Sequence, residues 1–280
     1  MGYDAGYGPG VGVANADGGA YGGQEGKYSG GGRGLTYGSI TSPVNLGSGS
    51  NNNGGVGGGA IILNVTGISI VNGSISALGT GGSGQAGGSG GTIFVTSYAL
   101  SGSGNISVNG ATPTYGAGGG GRISITLLNG TDFSNFTGNM SSFGGSGSYP
   151  AAAGTIYLKA ANQNYGTLIV DNNGVSTGAT TLISNNVTYN GTSNLFNFNI
   201  INISRLGQLE INFSVTLNLT NTILRTDSGS VNNARLIFLG NNLTFGNTFT
   251  LANATLSQKG TTGMIWNTSL TIGSGGTLTH

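Results

Sequence analysis

Apolar and polar positions alternate along short segments from Ala60 onwards. Ile61, Leu63 and Val65 alternate in the first segment, and the same period of two returns near residues 93, 123 and 156. Successive side chains of a strand point to opposite faces, so this period predicts strands with one buried face. The pattern indicates an all-β protein.

The strand segments resemble one another: AIILNVTG, TIFVTSYA, RISITLLN and TIYLKAAN begin at residues 60, 92, 122 and 155. Their matching residues Ile61, Ile93, Ile123 and Ile156 are 32, 30 and 33 residues apart, a period typical of stacked repeats. One unit buries little apolar surface alone, whereas stacked units form a continuous apolar column. We therefore predict a parallel β-helix, or β-solenoid.

Composition divides the chain into three regions. Residues 1–59 predict an irregular or extended glycine-rich arm, residues 60–178 combine strands and glycine-rich loops in repeats of about 30–33 residues, and residues 179–280 continue the β-solenoid with Asn- and Thr-rich strands. The glycine runs 79–91 and 116–121 fit either flexible loops or polyproline-II-type helices packed along the solenoid.

The segments GGSGGTIFV, LSGSGNISVNGA and GAGGGGRISITL resemble glycine-rich β-helical repeat regions of large secreted and cell-surface proteins. The resemblance covers residues 30–175, and the later part resembles β-helices only in general. It implies adhesion, surface coating or filament formation, and it carries over no catalytic residue.

Charge and cysteine content narrow the classes of function. Only 5% of residues are charged and the formal net charge is +1, so nucleic-acid binding lacks its main source of affinity. The absence of cysteine excludes disulfides and thiolate metal sites. The apolar runs are far shorter than the roughly 18 residues of a membrane span. We expect an extracellular or cell-surface protein whose signal peptide is not present in this chain.

The strongest motif is the Asn-x-Ser/Thr sequon, which occurs fourteen times, about twice the number that composition gives by chance. Alternating strands rich in Asn and Thr also write this motif without glycosylation. The same alternation buries the middle residue and turns the Asn outward. We expect buried middle residues at Val65, Ile106, Val187, Ile203, Phe213, Leu219 and Leu243. The candidate glycosylation sites are Asn64, Asn72, Asn105, Asn129, Asn135, Asn139, Asn186, Asn190, Asn202, Asn212, Asn218, Asn242, Asn253 and Asn267.

Residues suited to catalysis are scarce. His280 is the single histidine, and the seven carboxylates lie far apart in the sequence at Asp4, Asp17, Glu25, Asp132, Asp171, Glu210 and Asp227. We therefore predict no enzyme, no cofactor and no metal site, although some polysaccharide-active enzymes use β-helices.

Two short motifs resemble ligand sites. The segment GSGQAG at 82–87 matches a dinucleotide fingerprint, but a strand rather than a helix follows it. The segment Asp171–Gly174 resembles the start of a calcium loop without the later carboxylates, so it predicts a plain turn.

Polar surface residues leave further alternatives open. Thr-x-Thr pairs at 220–222, 248–250 and 277–279 resemble the ladders of ice-binding solenoids, but Thr is also a common outward residue of exposed strands. The basic side chains of Lys27, Arg33 and Arg122 could bind anionic glycans. We predict instead that they are solvated charges.

Taken together, the patterns predict an extracellular structural protein: a glycosylated surface or filament-forming β-solenoid that self-associates. The alternative is an adhesin or glycan-binding module of a larger surface protein. We expect its partners to be further copies of the chain, or the rest of a longer chain, and glycans.

Overall fold

The computed structural model describes residues 1–51, 54–82, 86–219, 222–226, 234–239, 243–245, 248–251, 255–258, 269–272 and 277–279. This described part is all-β, contains no helix, and stacks parallel coils into a β-solenoid of about five turns. The predicted fold class is therefore confirmed. No described segment forms a helix long and apolar enough to cross a membrane.

The strands, in chain order, are β1 Gly38–Ser39, β2 Ala60–Ile70, β3 Ser74–Ser76, β4 Thr92–Ser101, β5 Asn105–Ser107, β6 Arg122–Leu127, β7 Asn139–Ser141, β8 Thr155–Lys159, β9 Thr167–Asp171, β10 Thr181–Ile183, β11 Val187–Thr188, β12 Leu195–Asn197, β13 Ile200–Ser204, β14 Gln208–Ile211, β15 Thr216–Leu219, β16 Ile223–Thr226, β17 Arg235–Phe238, β18 Leu243–Phe245, β19 Thr248–Leu251, β20 Thr255–Gln258, β21 Ser269–Ile272 and β22 Thr277–Thr279.

The largest sheet has the order β16-β13-β9-β8-β6-β4-β2. Its first four strands along the chain, β2, β4, β6 and β8, pair in parallel and place Ile61, Ile93, Ile123 and Ile156 in one row. These isoleucines line a first core, in which the two central ones, Ile93 and Ile123, are fully buried. The predicted apolar column is confirmed because the strand repeat and the stacking period coincide.

The chain changes sides at β8 and β9, the only antiparallel pair of described strands in this sheet. Ile156 and Leu158 of β8 pack in the first core, whereas Tyr157 between them packs in a second core with Leu168 and Val170 of β9. The two cores therefore lie on opposite faces of one sheet. Because strand direction and buried face reverse together, the coil keeps the same hand in both halves.

A glycine layer, formed by segments 86–91, 116–121 and 151–154, lies beside the first core. Successive amides of the middle segment donate in three directions. The donor–acceptor pairs are Gly118 N to Ala111 O (3.0 Å), Gly119 N to Gly19 O (2.9 Å), Gly120 N to Ala152 O (3.0 Å) and Gly121 N to Val108 O (2.8 Å). The first and fourth donors return to the same neighbouring segment, and this period of three is that of a polyproline-II helix. The segments 86–91 and 116–121 of the glycine runs are thus packed along the solenoid in polyproline-II-type conformation and are not flexible loops.

Close backbone approach explains the glycines of this layer. A Cβ atom on Gly118 would lie 1.9 Å from the carbonyl oxygen of Gly88, and one on Gly22 would lie 2.2 Å from that of Gly121. Neither contact is possible for a side-chain carbon, so these backbones pack only where no side chain is present.

The N-terminal arm forms a further layer over the sheet. Residues 17–23 are buried, and the Tyr21 hydroxyl lies 2.7 Å from the Thr92 hydroxyl on the face of β4 that is turned away from the first core. Strand β1 pairs in parallel with β11, and Ile40 joins the second core. The arm therefore links the two halves.

The Thr-x-Thr pairs do not form one ladder. Strand β19, which holds 248–250, pairs with β21, whereas β22, which holds 277–279, pairs with β20 in another sheet. Thr220 lies outside the described residues. The ladder interpretation is wrong for the two pairs that are described, because equal sequence spacing does not place strands in the same sheet.

Candidate functional site

The outer edge of β2 is the first candidate site. β2 is the last strand of the largest sheet, so its outer edge has no partner among the described strands. Ile62, Ile68 and Ile70 are 53%, 58% and 69% exposed, and the core-facing Ile61 and Leu63 are only half-buried. An eleven-residue edge strand with exposed apolar side chains is a template for pairing with another chain.

The sequons provide a second candidate surface. Eight of the described candidate Asn residues are exposed: Asn64, Asn72, Asn105, Asn129, Asn135, Asn139, Asn186 and Asn190. Three others are only partly exposed: Asn202, Asn212 and Asn218. Among these, the Asn218 side-chain amide donates to Asn197 Oδ1 at 2.9 Å, and Asn212 Oδ1 accepts from the Ser214 hydroxyl at 3.0 Å. The exposed group is therefore the more accessible to a glycosyltransferase.

Two exposed sequons stack directly on each other. Asn105 of β5 and Asn139 of β7 are paired residues, and the Ser107 and Ser141 hydroxyls of the same sequons are hydrogen-bonded at 2.9 Å. Paired residues on adjacent strands are about 5 Å apart, so glycans on both would crowd each other.

The middle residue of the sequon is buried at Ile106, Val187, Ile203 and Leu219, as predicted, and half-buried at Val65. Phe213, however, is 67% exposed, so the prediction for this residue is wrong. It lies in the turn between β14 and β15, where the strand alternation is interrupted. Leu243 belongs to β18, for which the structure describes the backbone only.

The prediction that Arg122 is a solvated charge is wrong, because this side chain is 1% exposed. Its Nε donates to the Tyr37 carbonyl at 3.0 Å, its Nη1 donates to the Thr155 hydroxyl at 2.9 Å, and its guanidinium lies 5.5 Å from the Tyr21 ring centre. Burial lowers the pKa of Arg122 to about 10. Because the arm covers this face of β6, Arg122 fastens the arm to the sheet.

Lys27 and Arg33 lie on the arm, as half-buried side chains that donate to backbone carbonyls. The Lys27 ammonium donates to Gly31, and the Arg33 guanidinium donates to Glu25. Lys27 keeps the character of a surface charge, whereas Arg33 lines a cleft.

Two buried carboxylates, Asp17 and Glu25, accept hydrogen bonds within the arm. Asp17 accepts backbone N–H groups of Ala14, Tyr28 and Ser29 at 2.7 to 3.2 Å. Glu25 accepts the Gly34 N–H at 2.8 Å through Oε1, while its Oε2 is buried without a hydrogen-bond partner among the described residues. Desolvation by burial raises the pKa of Glu25 to about 7. Both carboxylates thus accept hydrogen bonds from the backbone of the arm. The described residues contain no group of three His, Cys, Asp or Glu side chains that could bind a metal ion.

The Asp171–Gly174 segment is a turn, in which Asn173 and Gly174 have φ values of 53° and 76°. Asp171 accepts the Asn173 N–H at 2.8 Å and forms an ion pair with Arg205 at 2.7 Å. The carboxylate that could begin a calcium loop is thus already paired with a cation.

A polar cleft of about 470 Å³ lies between the arm, the segment 176–180 and the outward face of β14 and β17. Its lining comprises Gln24, Arg33, Ser176, Thr177, Gly178, Thr180, Leu206, Gln208, Glu210, Arg235 and Ile237. The sequence did not predict this cleft, although it identified Arg33 as a candidate for glycan binding.

Some candidate residues lie outside the description: His280, Asp227, Asn242, Asn253, Asn267 and residues 83–85 of the fingerprint-like segment. In comparisons with family models, curated proteins and solved structures, the chain gives no significant match. The function of this chain is therefore inferred from its own geometry.

Proposed function

We propose that this chain is an extracellular structural protein, a glycosylated β-solenoid that self-associates through the outer edge of β2. The observation that carries the proposal is the combination of an edge without a partner among the described strands and exposed isoleucines along this strand. The resemblance to glycine-rich β-helical regions of surface proteins supports the same role.

A second copy of the chain suits this edge. Two β2 strands related by a two-fold axis perpendicular to the sheet would pair in antiparallel orientation, and each would use the same residues. Such pairing satisfies the free N–H and C=O groups and covers Ile62, Ile68 and Ile70 in both copies. The half-buried Ile61 and Leu63 would then join one continuous core.

Composition and side-chain pairing favour a structural role over catalysis. Only 5% of the residues are charged, and the described carboxylates of Asp17, Glu25 and Asp171 bind backbone or a neighbouring arginine. Eight exposed sequons place candidate glycans on a surface that has few charges to keep it soluble.

The test is a sedimentation-velocity series over protein concentration, combined with negative-stain imaging. We expect the native chain to associate and the double variant Ile62→Lys/Ile68→Lys to dissociate with a constant at least about tenfold higher, because lysine on an edge strand opposes pairing. Leu128→Lys is the matched control, since Leu128 is 57% exposed but lies away from β2.

A native chain that stays monomeric at all concentrations would contradict the proposal. An equal loss of association in the Leu128→Lys control would contradict the assignment to β2. A glycan-binding role is the second candidate function, and the polar cleft is the observation that favours it.

A further inference from the structure

The polar cleft combines residues that are far apart in the sequence. The arm contributes Gln24 and Arg33, and β14 and β17 contribute the remaining charged side chains, Glu210 and Arg235. Three of the eleven lining residues are charged, against 5% in the whole chain. This concentration of charge is not expected from the composition.

The floor of the cleft is a regular array. Gln208 pairs with Arg235, and Glu210 pairs with Ile237 on the neighbouring strand. Residues two apart on a strand share a face, so these four side chains form two rows on the outward side of the sheet. Neighbouring strands are about 4.8 Å apart, which is close to the length of one sugar residue in an extended polysaccharide.

The walls of the cleft are fixed by hydrogen bonds. The Gln24 side-chain carbonyl accepts from both the backbone N–H and the hydroxyl of Thr180 at 3.0 Å, and the Gln24 N–H donates to the Thr180 carbonyl at 3.1 Å. The Gln208 amide donates to the Thr177 carbonyl at 2.7 Å. A cleft held in this way loses little conformational freedom when a ligand binds.

The two arginines retain donors for a ligand. Arg235 lines the cleft, and its Nε, which is shielded from solvent, has no hydrogen-bond partner among the described residues, so this guanidinium is not held by the surrounding protein through that atom. The Arg33 guanidinium has five N–H donors, and its single hydrogen bond to a described residue goes to the Glu25 carbonyl. Planar guanidinium groups match the geometry of a carboxylate, with which they form charge-assisted hydrogen bonds.

We propose that this cleft binds a uronic-acid unit of an acidic polysaccharide. Arg33 and Arg235 bind the sugar carboxylate, while Ser176, Thr177 and Thr180 line the cleft with hydroxyls that can both donate to and accept from sugar hydroxyls. Glu210 places a negative charge in the same lining, which disfavours densely charged phosphate or sulfate ligands relative to a sugar with one charge.

Isothermal titration of the full chain with a galacturonic acid hexamer tests the proposal. We expect saturable binding, and we expect it to weaken about 10- to 100-fold when the hexamer is replaced by its methyl ester, which keeps the hydroxyls but removes the charge. Because the protein is unchanged in this comparison, folding does not affect the result.

Arg235→Gln and Arg33→Gln should each weaken binding of the hexamer by at least about tenfold, with thermal unfolding as a check of the fold. Arg225→Gln is the matched control, since Arg225 is exposed and lies outside the cleft lining. Absence of saturable binding, equal binding of the methyl ester, or equal weakening by Arg225→Gln would each overturn the proposal.

Ligand binding in the cleft does not depend on self-association through β2. The variants Ile62→Lys/Ile68→Lys should bind the hexamer normally, and Arg235→Gln should associate normally. The two proposals can therefore fail separately.

Discussion

The two halves of the solenoid fill their interiors in different ways. The first core consists mainly of aliphatic side chains such as Ile93 and Ile123, and close-packed backbone segments lie beside it in the glycine layer. The second core contains Tyr157, Tyr189 and Phe198, with ring centres 5.2 to 6.4 Å apart. The half in which glycine is scarce therefore packs through aromatic side chains, whereas the core of the other half is aliphatic and is flanked by close-packed backbone.

The largest effect should come from the aromatic cluster. Phe198 is 1% exposed and contacts two tyrosine rings, so Phe198→Ala should destabilise the protein by about 3–5 kcal/mol through loss of burial and creation of a cavity. Urea denaturation followed by tyrosine fluorescence measures this change. Leu128→Ala, at an exposed position, should change stability by less than about 0.5 kcal/mol. Comparable losses in the two variants would show that the cluster does not support the second half.

A somewhat smaller loss is expected from the glycine layer. Gly118→Ala places a carbon against the Gly88 carbonyl, which is backbone and has little freedom to move, so we expect a loss of about 3 kcal/mol. The control is Gly73→Ala, since a Cβ at Gly73 has no neighbour within 4 Å. Hydrogen exchange should show the loss of protection in segments 86–91 and 116–121 before β13. Uniform loss over both halves would contradict separate packing.

The last effect concerns the arm, and its size depends on pH. Burial raises the pKa of Glu25 from 4.5 to about 7, so the folded state favours the protonated carboxyl. Stability from this group is complete below about pH 4.5 and declines as pH rises through 7, by up to about 3 kcal/mol, because one pKa unit corresponds to 1.36 kcal/mol. Glu25→Gln should therefore be more stable than the native chain at pH 8.5 and similar at pH 4.5.

Urea denaturation at both pH values measures this difference. Asp132→Asn is the control, since Asp132 is fully exposed and should leave the pH dependence of the native chain in place. A native chain with equal stability at the two pH values would contradict the role of Glu25.

The first core could be predicted from local pattern, since Ile61, Ile93, Ile123 and Ile156 repeat with the period of the coil. The change of sides at β8 and β9 was not predicted. A signal was present, because Ile156-Tyr157-Leu158 and Leu168-Ile169-Val170 are apolar at consecutive positions, a pattern typical of strands buried on both faces.

Features that join distant segments could not be predicted in this way. Arg122 donates to the Tyr37 carbonyl, which is 85 residues away, and Thr180 donates to Gln24 in the cleft across 156 residues. Neither pairing can be recognised from the alternation of apolar and polar residues, because the arm has almost no strand pattern of its own. The position of the arm over β4, β6 and β8 is set by these long-range contacts.

The three directions of hydrogen bonding in the glycine layer have a mechanical consequence. A β-sheet can be opened one strand at a time from its edge, since each strand is bonded only to its two neighbours. The segment 116–121 is bonded to the arm, to the 108–111 segment and to the 151–154 segment at once. A tearing force applied along any single seam of this layer would meet bonds that cross it, so this side of the solenoid resists unzipping in a way that the free edge at β2 does not.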